Sequence, residues 1–369
     1  MTEKIKYLHV MPHMSVLYNR QFITMINENK DYFDANEHLF IVANDEVIKG
    51  FKNYQNVVLE KDITIDSNIL SRYIDSCKFV FLHENLTISV KTMLKLGKKR
   101  LKKIIWCVWG HDLYPEYKGN LAKRLKEYVS RQIRKRISAN FYAVGVGFEY
   151  DKIQVQKDYR GVKIVNCPYG YEKGLKCKID SIISSFSKDT NMTRVMIGHS
   201  SYPFLNHIET LNKLARFKDN TILVSLVLSY GNIDYGRRVE EHAIKIFGNK
   251  KVEVIRDLKT WEKYTEYLSS VDVCIFNFKK QAALGNFYTL CYMGKKLFLK
   301  SDGILDIAAK SEGMKTYEIS DIENMTFEEF SKPVLDNDAE KKFGKHYIDE
   351  RNYLKTWKKT LDSLKDDGC

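Results

Sequence analysis

The side chains that could do chemistry in this sequence stand just after short apolar runs. TRVMIG (193–198) leads into His199, Ser200, Ser201 and Tyr202, and Asn206-His207 then opens a helical pattern. Gly198 supplies a turn, Ser200 or Ser201 an N-cap, and Pro203 a favoured first helical residue. A helix start of this kind offers free N–H groups and positive dipole to a phosphate; a capped helix without a ligand carries the same signal. VDVCIFNF (271–278) leads into Lys279, Lys280 and Gln281, and Gly285-Asn286 opens a second helical pattern that Gly294 can close. Two cations beside a helix start suit a diphosphate; the alternative is a solvated loop. LVLSYGN (226–232) adds Tyr230 and Gly231 at the end of a third apolar run.

The run KIIWCVW (103–109) ends at Trp109 and continues into Gly110, His111 and Asp112. A carboxylate or imidazole placed there can remove a proton from an acceptor hydroxyl. Asp112 as a turn cap is the competing reading. His13, after KYLHVM (6–11), and His83-Glu84, after KFVFLH (78–83), are weaker candidates of the same kind; His13 and Trp109 are candidates for acceptor contact. Histidine and cysteine spacings match no zinc pattern. Asp336-Asn337-Asp338 has the form of an Asp-x-Asp metal signature, but it follows no strand and precedes a helical pattern, so N-capping is expected and no metal.

Elements that could hold these groups alternate along the chain. The runs at 6–11, 38–43, 56–60, 78–83, 103–109, 140–146 and 162–166, then 193–198, 221–229, 251–255, 271–278, 295–300 and 314–319, are apolar almost throughout, as in parallel sheets covered on both faces. Helical patterns lie between them. This is the α/β class, with two doubly wound parallel sheets facing a cleft. The expected division is 1–172, a polar linker at 173–190, a second domain at 191–335, and a charged helical segment at 336–369 that folds back on the first domain.

At 369 residues, 44% hydrophobic and 29% charged, the chain has the composition of a globular protein. No apolar run approaches the roughly 20 residues needed to cross a bilayer, and MTEKIKYLHVMPHM lacks the apolar core of a signal peptide. The seven cysteines form no CxxC pair and mostly lie in apolar runs, which fits a reducing cytoplasm. The net charge is +13, of which +12 falls between Lys91 and Arg136. Lys98, Lys99, Arg100, Lys102 and Lys103 form one block; Lys123, Arg124, Arg131, Arg134, Lys135 and Arg136 belong to a helical pattern over 121–137 whose apolar stripe is Leu121, Leu125, Val129, Ile133 and Ile137. A basic amphipathic helix suits an anionic membrane surface. A solvated outer face is the plainer alternative and nucleic acid a third, although no nucleic-acid module accompanies the charge.

WGHDLY (109–114), the Gly-x-Ser turn followed by Asn206-His207, LSYGN with Tyr235, and IFNFKKQAALGN followed by GKKLFL resemble, in this order, the 4-acetamido-4,6-dideoxygalactose (N-acetylfucosamine) transferase family of bacterial surface-polysaccharide assembly. The resemblance covers about residues 100–300. It implies a GT-B fold of two Rossmann-like domains and transfer of a sugar from a dTDP-sugar to a polyprenyl-diphosphate-linked saccharide at the inner membrane face. Carried over by position, Ser200, Asn206, His207, Tyr230, Gln281, Gly285 and Asn286 line the donor pocket and Asp112 faces the acceptor. Lys280, Ala282 and Phe278 depart from the family's Arg, Gln and His, and Lys gives a point charge where Arg gives a bidentate fork. The expectation is a metal-independent, cytoplasmic glycosyltransferase peripheral to the membrane. The rivals are a transferase using UDP- or GDP-sugars on a capsule or cell-wall acceptor, and a non-enzymatic double-Rossmann protein that binds nucleic acid.

Overall fold

The computed structural model describes residues 5–11, 16–114, 119–188, 191–257 and 260–364. Among these, the apolar runs become strands of two parallel sheets. The first contains β1 (Tyr7–Val10), β2 (His38–Val42), β3 (Val57–Leu59), β4 (Phe79–His83), β5 (Ile104–Cys107), β6 (Ala143–Val146) and β7 (Ile164–Asn166), in the order β3-β2-β1-β4-β5-β6-β7. The second contains β8 (Thr193–Ile197), β9 (Ile222–Val227), β10 (Val252–Ile255), β11 (Val273–Phe276), β12 (Lys296–Leu299) and β13 (Tyr317–Glu318), in the order β10-β9-β8-β11-β12-β13. The order reverses between β1 and β4 and again between β8 and β11. In doubly wound sheets the crevice beyond the strand ends at such a point is where ligands bind.

The chain divides into two compact units, Met1–Lys173 with Arg351–Cys369, and Gly174–Glu350. Segment 173–190, expected as a linker, contains the helix Leu175–Ser185, which packs on the helix Trp261–Ser270 of the second unit. Leu175, Ile179, Ile182 and Ile183 do follow a helical spacing, hidden by the polar residues between them. The charged C-terminal segment breaks at Asp349. Its first helix, Asp338–Ile348, packs on the helix Leu284–Tyr292 so closely that a Cβ at Gly344 would meet Tyr288 O at 2.5 Å. Its second, Glu350–Asp362, closes over the first sheet. Trp357 is wholly buried there, 4.7 Å from the Phe22 ring, with its Nε1 donating to Pro168 O at 2.9 Å.

The two faces of the first sheet are covered separately. Tyr7, Phe40 and Phe81 pack with Phe22 and Trp357 on one side, and Leu8, Val10 and Leu82 pack with Trp106 and Val144 on the other. Through the first layer runs a column of buried imidazoles. His38 Nδ1 lies 2.9 Å from His9 Nε2, His9 Nδ1 lies 3.0 Å from His83 Nε2, and His83 Nδ1 lies 2.7 Å from Tyr169 Oη. Burial holds all three imidazoles well below their usual pKa, His38 and His83 at about 3, so they are neutral at pH 7.

In helix Leu121–Ser138 the apolar stripe is buried only toward its end. Residues four apart advance about 40° around a helix, so the stripe winds from one face to the opposite one. Ile137 reaches the core, whereas Leu121, Leu125 and Val129 stand exposed, Leu121 at 80%. Asp336-Asn337-Asp338 also differs from expectation. The helix does start at Asp338, but Asn337 makes no side-chain cap; its Nδ2 donates to Gly294 O at 3.3 Å and Val334 O at 3.1 Å.

Candidate functional site

β8 ends at Gly198 with φ +65°, and a Cβ there would lie 2.6 Å from His207 Nε2. Glycine is required both for the left-handed turn and for the imidazole's approach to the backbone. The turn carries His199, Ser200 and Ser201, all buried. Neither serine caps a helix, contrary to expectation: Tyr202 precedes the short 3₁₀ turn Pro203–Leu205, and Asn206, at φ +52°, precedes the helix His207–Leu214. Ser201 instead ties this loop to the one after β9, donating from N and Oγ to Tyr230 O at 2.7 and 2.8 Å. Asn206 Nδ2 ties it to the loop after β11, donating to Asn277 O at 2.8 Å. Phe278 packs on His199 and Phe204, and Lys280 Nζ lies 4.8 Å from the Phe204 ring. The three loops therefore meet at the carboxyl end of β9, β8 and β11, across the reversal in strand order.

At this junction several polar atoms have no protein partner among the described residues. His199 Nδ1, Ser200 Oγ, both ring nitrogens of His207, Ser229 Oγ and Asn277 Oδ1 are buried with no hydrogen bond among the described residues. A buried unsatisfied polar group costs about 1–3 kcal/mol, so several in one crevice mark a surface built for a ligand. Burial lowers the pKa of His199 and His207 to about 4. Both rings are thus neutral at pH 7, each with one N–H donor and one acceptor for a hydroxyl-rich ligand.

The other expected donor residues stand close by in the sequence of loops. Tyr230 is half exposed, its ring 6.2 Å from His199. Lys279 is exposed, and Gln281 is half-buried. Helix Leu284–Tyr292 begins after Ala283, at φ +56°, with open space around Gly285 and with the Asn286 side chain hydrogen-bonded to Tyr264. Asn277 and Ser229 escaped the sequence reading because each lies within or at the end of an apolar run, where a single polar residue carries no spacing signal.

In the first unit, β5 leads through Trp109 into the short helix Gly110–Leu113. Asp112 is buried, and its carboxylate accepts three hydrogen bonds. Oδ2 accepts from Trp106 Nε1 at 2.6 Å and from Asn85 N at 2.9 Å, and Oδ1 accepts from Trp109 N at 2.8 Å. Burial pushes its pKa up to about 7 against these three donors. These bonds have the form of the turn-cap reading, and they occupy three of the carboxylate's roughly four lone-pair sites. His111 is exposed and hydrogen-bonded through Nε2 to Glu84, which raises its pKa above the usual value. Glu84 follows β4 at φ +84°, a conformation costly for any residue but glycine, and its other oxygen accepts from Thr87 Oγ1 at 3.0 Å. His13 lies outside the described residues.

The basic residues divide into two sets. Lys98, Lys99, Lys102, Lys123, Arg124 and Arg136 are exposed. Arg100 instead grips Asp75 at 2.8–2.9 Å, and Lys103 donates to Ile74 O and Cys77 O. Arg131 donates to the carbonyls of Asp112 and His111, Arg134 to Asn85 O, and Lys135 pairs with Asp158 at 2.7 Å. These five are held by the domain rather than displayed outward.

Two doubly wound parallel units define the GT-B class, and solved members share the fold. HepE from Anabaena in complex with UDP is 12% identical over 97% of this chain and 100% of that one, with a TM-score of 0.67. A glycosyltransferase from Rickettsia africae is 12% identical over 98% and 100%, with a TM-score of 0.63. A UDP-forming α,α-trehalose-phosphate synthase from Burkholderia vietnamiensis is 10% identical over 97% and 99%, with a TM-score of 0.62. The protein is a GT-B glycosyltransferase. More particularly, the chain belongs to the 4-alpha-L-fucosyltransferase family, glycosyl transferase group 56, whose model matches residues 6–365.

Proposed function

We propose that this protein moves a deoxy-amino sugar of the N-acetylfucosamine type from a dTDP-sugar to a polyprenyl-diphosphate-linked saccharide in bacterial surface-polysaccharide assembly. The observation that carries this reading is the set of orphaned polar groups around Ser200, His207 and Asn277 at the β8–β11 reversal. A hydroxyl-rich nucleotide sugar supplies partners for all of them. Donor binding falls to the second unit and acceptor binding to the first. The acceptor oxygen attacks the anomeric carbon, the bond from that carbon to the diphosphate breaks, and the nucleoside diphosphate leaves. Lys279, Lys280 and the start of helix Leu284–Tyr292 stabilise its growing charge without a metal. With inversion at the anomeric carbon, His111 takes the hydroxyl proton; Asp112, engaged by three donors, holds the turn that presents it.

The exposed lysines and arginines of segment 98–136 support a cytoplasmic protein peripheral to an anionic membrane surface. No described helix is long and apolar enough to cross a membrane. HepE is recorded with UDP, so UDP is tested beside dTDP. A thermal-shift series with dTDP, UDP, GDP and a short oligonucleotide decides the donor. A selective rise with dTDP is expected; a rise confined to UDP or GDP reassigns the nucleotide, and a salt-sensitive response to the oligonucleotide alone rejects the transferase reading.

A further inference from the structure

In the first unit, a cavity of about 110 Å³ opens beside helix Leu121–Ser138. Its wall includes Arg131, Arg134 and Lys135 together with Asn85, Asp112 and Asp158. One wall group lacks a partner among the described residues: Asn85 Oδ1 makes no hydrogen bond, whereas Arg131 Nε has the Glu127 carboxylate at 3.5 Å. Asn85 is almost wholly buried, and its amide nitrogen is already spent on Ser138 Oγ at 2.9 Å. The cations are not loose surface charges. Backbone carbonyls of residues 85, 111 and 112 fix the two guanidinium groups, yet these bonds use only part of the five N–H groups each carries. Guanidinium groups held in place beside an unpaired acceptor fit a ligand with both an anionic group and a hydroxyl donor. A glycosyl phosphate or diphosphate has both.

The same helix presents a different chemistry toward its beginning. Residues 121–126 are exposed on every side, and Leu121, Leu125, Tyr128 and Val129 form an apolar strip flanked by Lys123, Arg124 and Lys126. From Leu125 to Arg131 the axial rise is only about 9 Å. Apolar surface and cationic cavity thus succeed each other along one helix, as they do along an amphiphile with a charged head.

We infer that this cavity is the headgroup subsite for the acceptor, a glycosyl diphosphate whose apolar chain leaves along Leu121, Leu125 and Val129. The inference rests on the proposed transfer to a lipid-linked saccharide and places that substrate's diphosphate at Arg131 and Arg134. It predicts recognition of the head and the chain together, and not of lipid charge alone.

The test titrates the full-length protein with farnesyl diphosphate, inorganic pyrophosphate, farnesol and phosphatidylglycerol vesicles. The nucleoside diphosphate that stabilises the protein is present at saturation, which keeps pyrophosphate out of the donor loops. Farnesyl diphosphate is expected to bind at least tenfold more tightly than pyrophosphate or farnesol. Leu121→Ser with Leu125→Ser should remove that advantage and leave pyrophosphate binding unchanged. Arg134→Gln should weaken both diphosphates about tenfold. Because Arg134 also braces a carbonyl, Asn85→Asp serves as the second variant: it sets a carboxylate against the anion and should weaken both ligands in a folded protein. Unchanged diphosphate binding in folded Asn85→Asp, absent binding in the unaltered protein, or equal binding to vesicles and farnesyl diphosphate overturns the inference. Nucleoside diphosphate stabilisation is read in the same samples. If it persists while these outcomes fail, only the headgroup subsite falls; if it is absent from the start, the transferase reading falls first.

Discussion

The Asp112 carboxylate accepts the indole N–H of Trp106 at 2.6 Å, a bond between a buried acid and a buried aromatic of the strand leading to it. With Asn85 N and Trp109 N on the same carboxylate, Asp112 joins β5, the turn after β4 and the helix Gly110–Leu113. Asp112→Asn turns one acceptor into a donor that faces N–H groups. The expected loss is about 2 kcal/mol of stability, the scale of one hydrogen bond to a charged group, read as a lower Tm. Turnover per folded molecule should fall less than in His111→Ala. The reverse ranking in folded proteins returns the base assignment to Asp112.

His111 and Glu84 set a pH dependence. The hydrogen bond that His111 Nε2 donates to the Glu84 carboxylate raises the His111 pKa, so the neutral, proton-accepting form appears only as pH rises through that raised value. Turnover should therefore climb with pH on this limb. Glu84→Gln removes the charge that favours imidazolium, so the limb should move to lower pH, while His111→Ala abolishes it. An identical limb in all three proteins removes His111 from the reaction.

Acid should destabilise the fold through its buried imidazoles. His9, His38 and His83 titrate far lower folded than the ordinary 6.5, and His199 and His207 at about 4. The unfolded chain binds more protons between those values and 6.5, so this stability is complete above 6.5 and is lost as pH falls. Asp112 and Asp151, raised to about 7 by burial, act in the opposite sense; five imidazoles outweigh two carboxyls. Tm is expected to drop between pH 7 and pH 5, and a flat or rising Tm contradicts the neutral column.

Trp357 anchors the returning C-terminal helix. Trp357→Ala removes a wholly buried ring and the donor to Pro168 O, and costs about 3–5 kcal/mol on the scale of large-to-small core substitutions. Chemical denaturation measures it. A cost below 1 kcal/mol would mean that the helix is not integral to the first unit.

The sequence showed most strands plainly because they are apolar on both faces, as in TILVSLVLS, where the chemistry of a covered parallel sheet admits little else. The loops proposed to hold the donor could be located for the same reason, since they begin where such runs stop. Helix Leu175–Ser185 was hidden because its four apolar residues sit among lysines and serines. The fate of the 121–137 stripe was equally hidden. A spacing of four fixes the helix but not the point along it where the body of the domain ends. Nor does spacing reveal that Arg131 and Arg134 turn inward, which follows from carbonyls 20 to 50 residues distant. Glu84 was visible only as a residue after a strand, and its role depends on a backbone angle.

Gly198→Ala tests the geometry of the donor turn. A side chain at φ +65°, with its Cβ 2.6 Å from His207 Nε2, costs about 1–2 kcal/mol for the backbone alone and displaces the imidazole. Both Tm and nucleotide affinity should fall. Retained affinity with a lowered Tm would place His207 outside the pocket.

Ser200→Ala probes the donor crevice most directly, with Tm and nucleoside diphosphate affinity measured on the same preparation. Ser200 Oγ is buried without a partner among the described residues, so its removal should leave Tm unchanged or raise it by relieving about 1 kcal/mol of desolvation cost. Affinity for the stabilising nucleotide should drop roughly tenfold, the loss of one buried hydrogen bond. A folded Ser200→Ala protein that binds the nucleotide as tightly as before would show that the unpaired groups at the β8–β11 reversal do not face the donor.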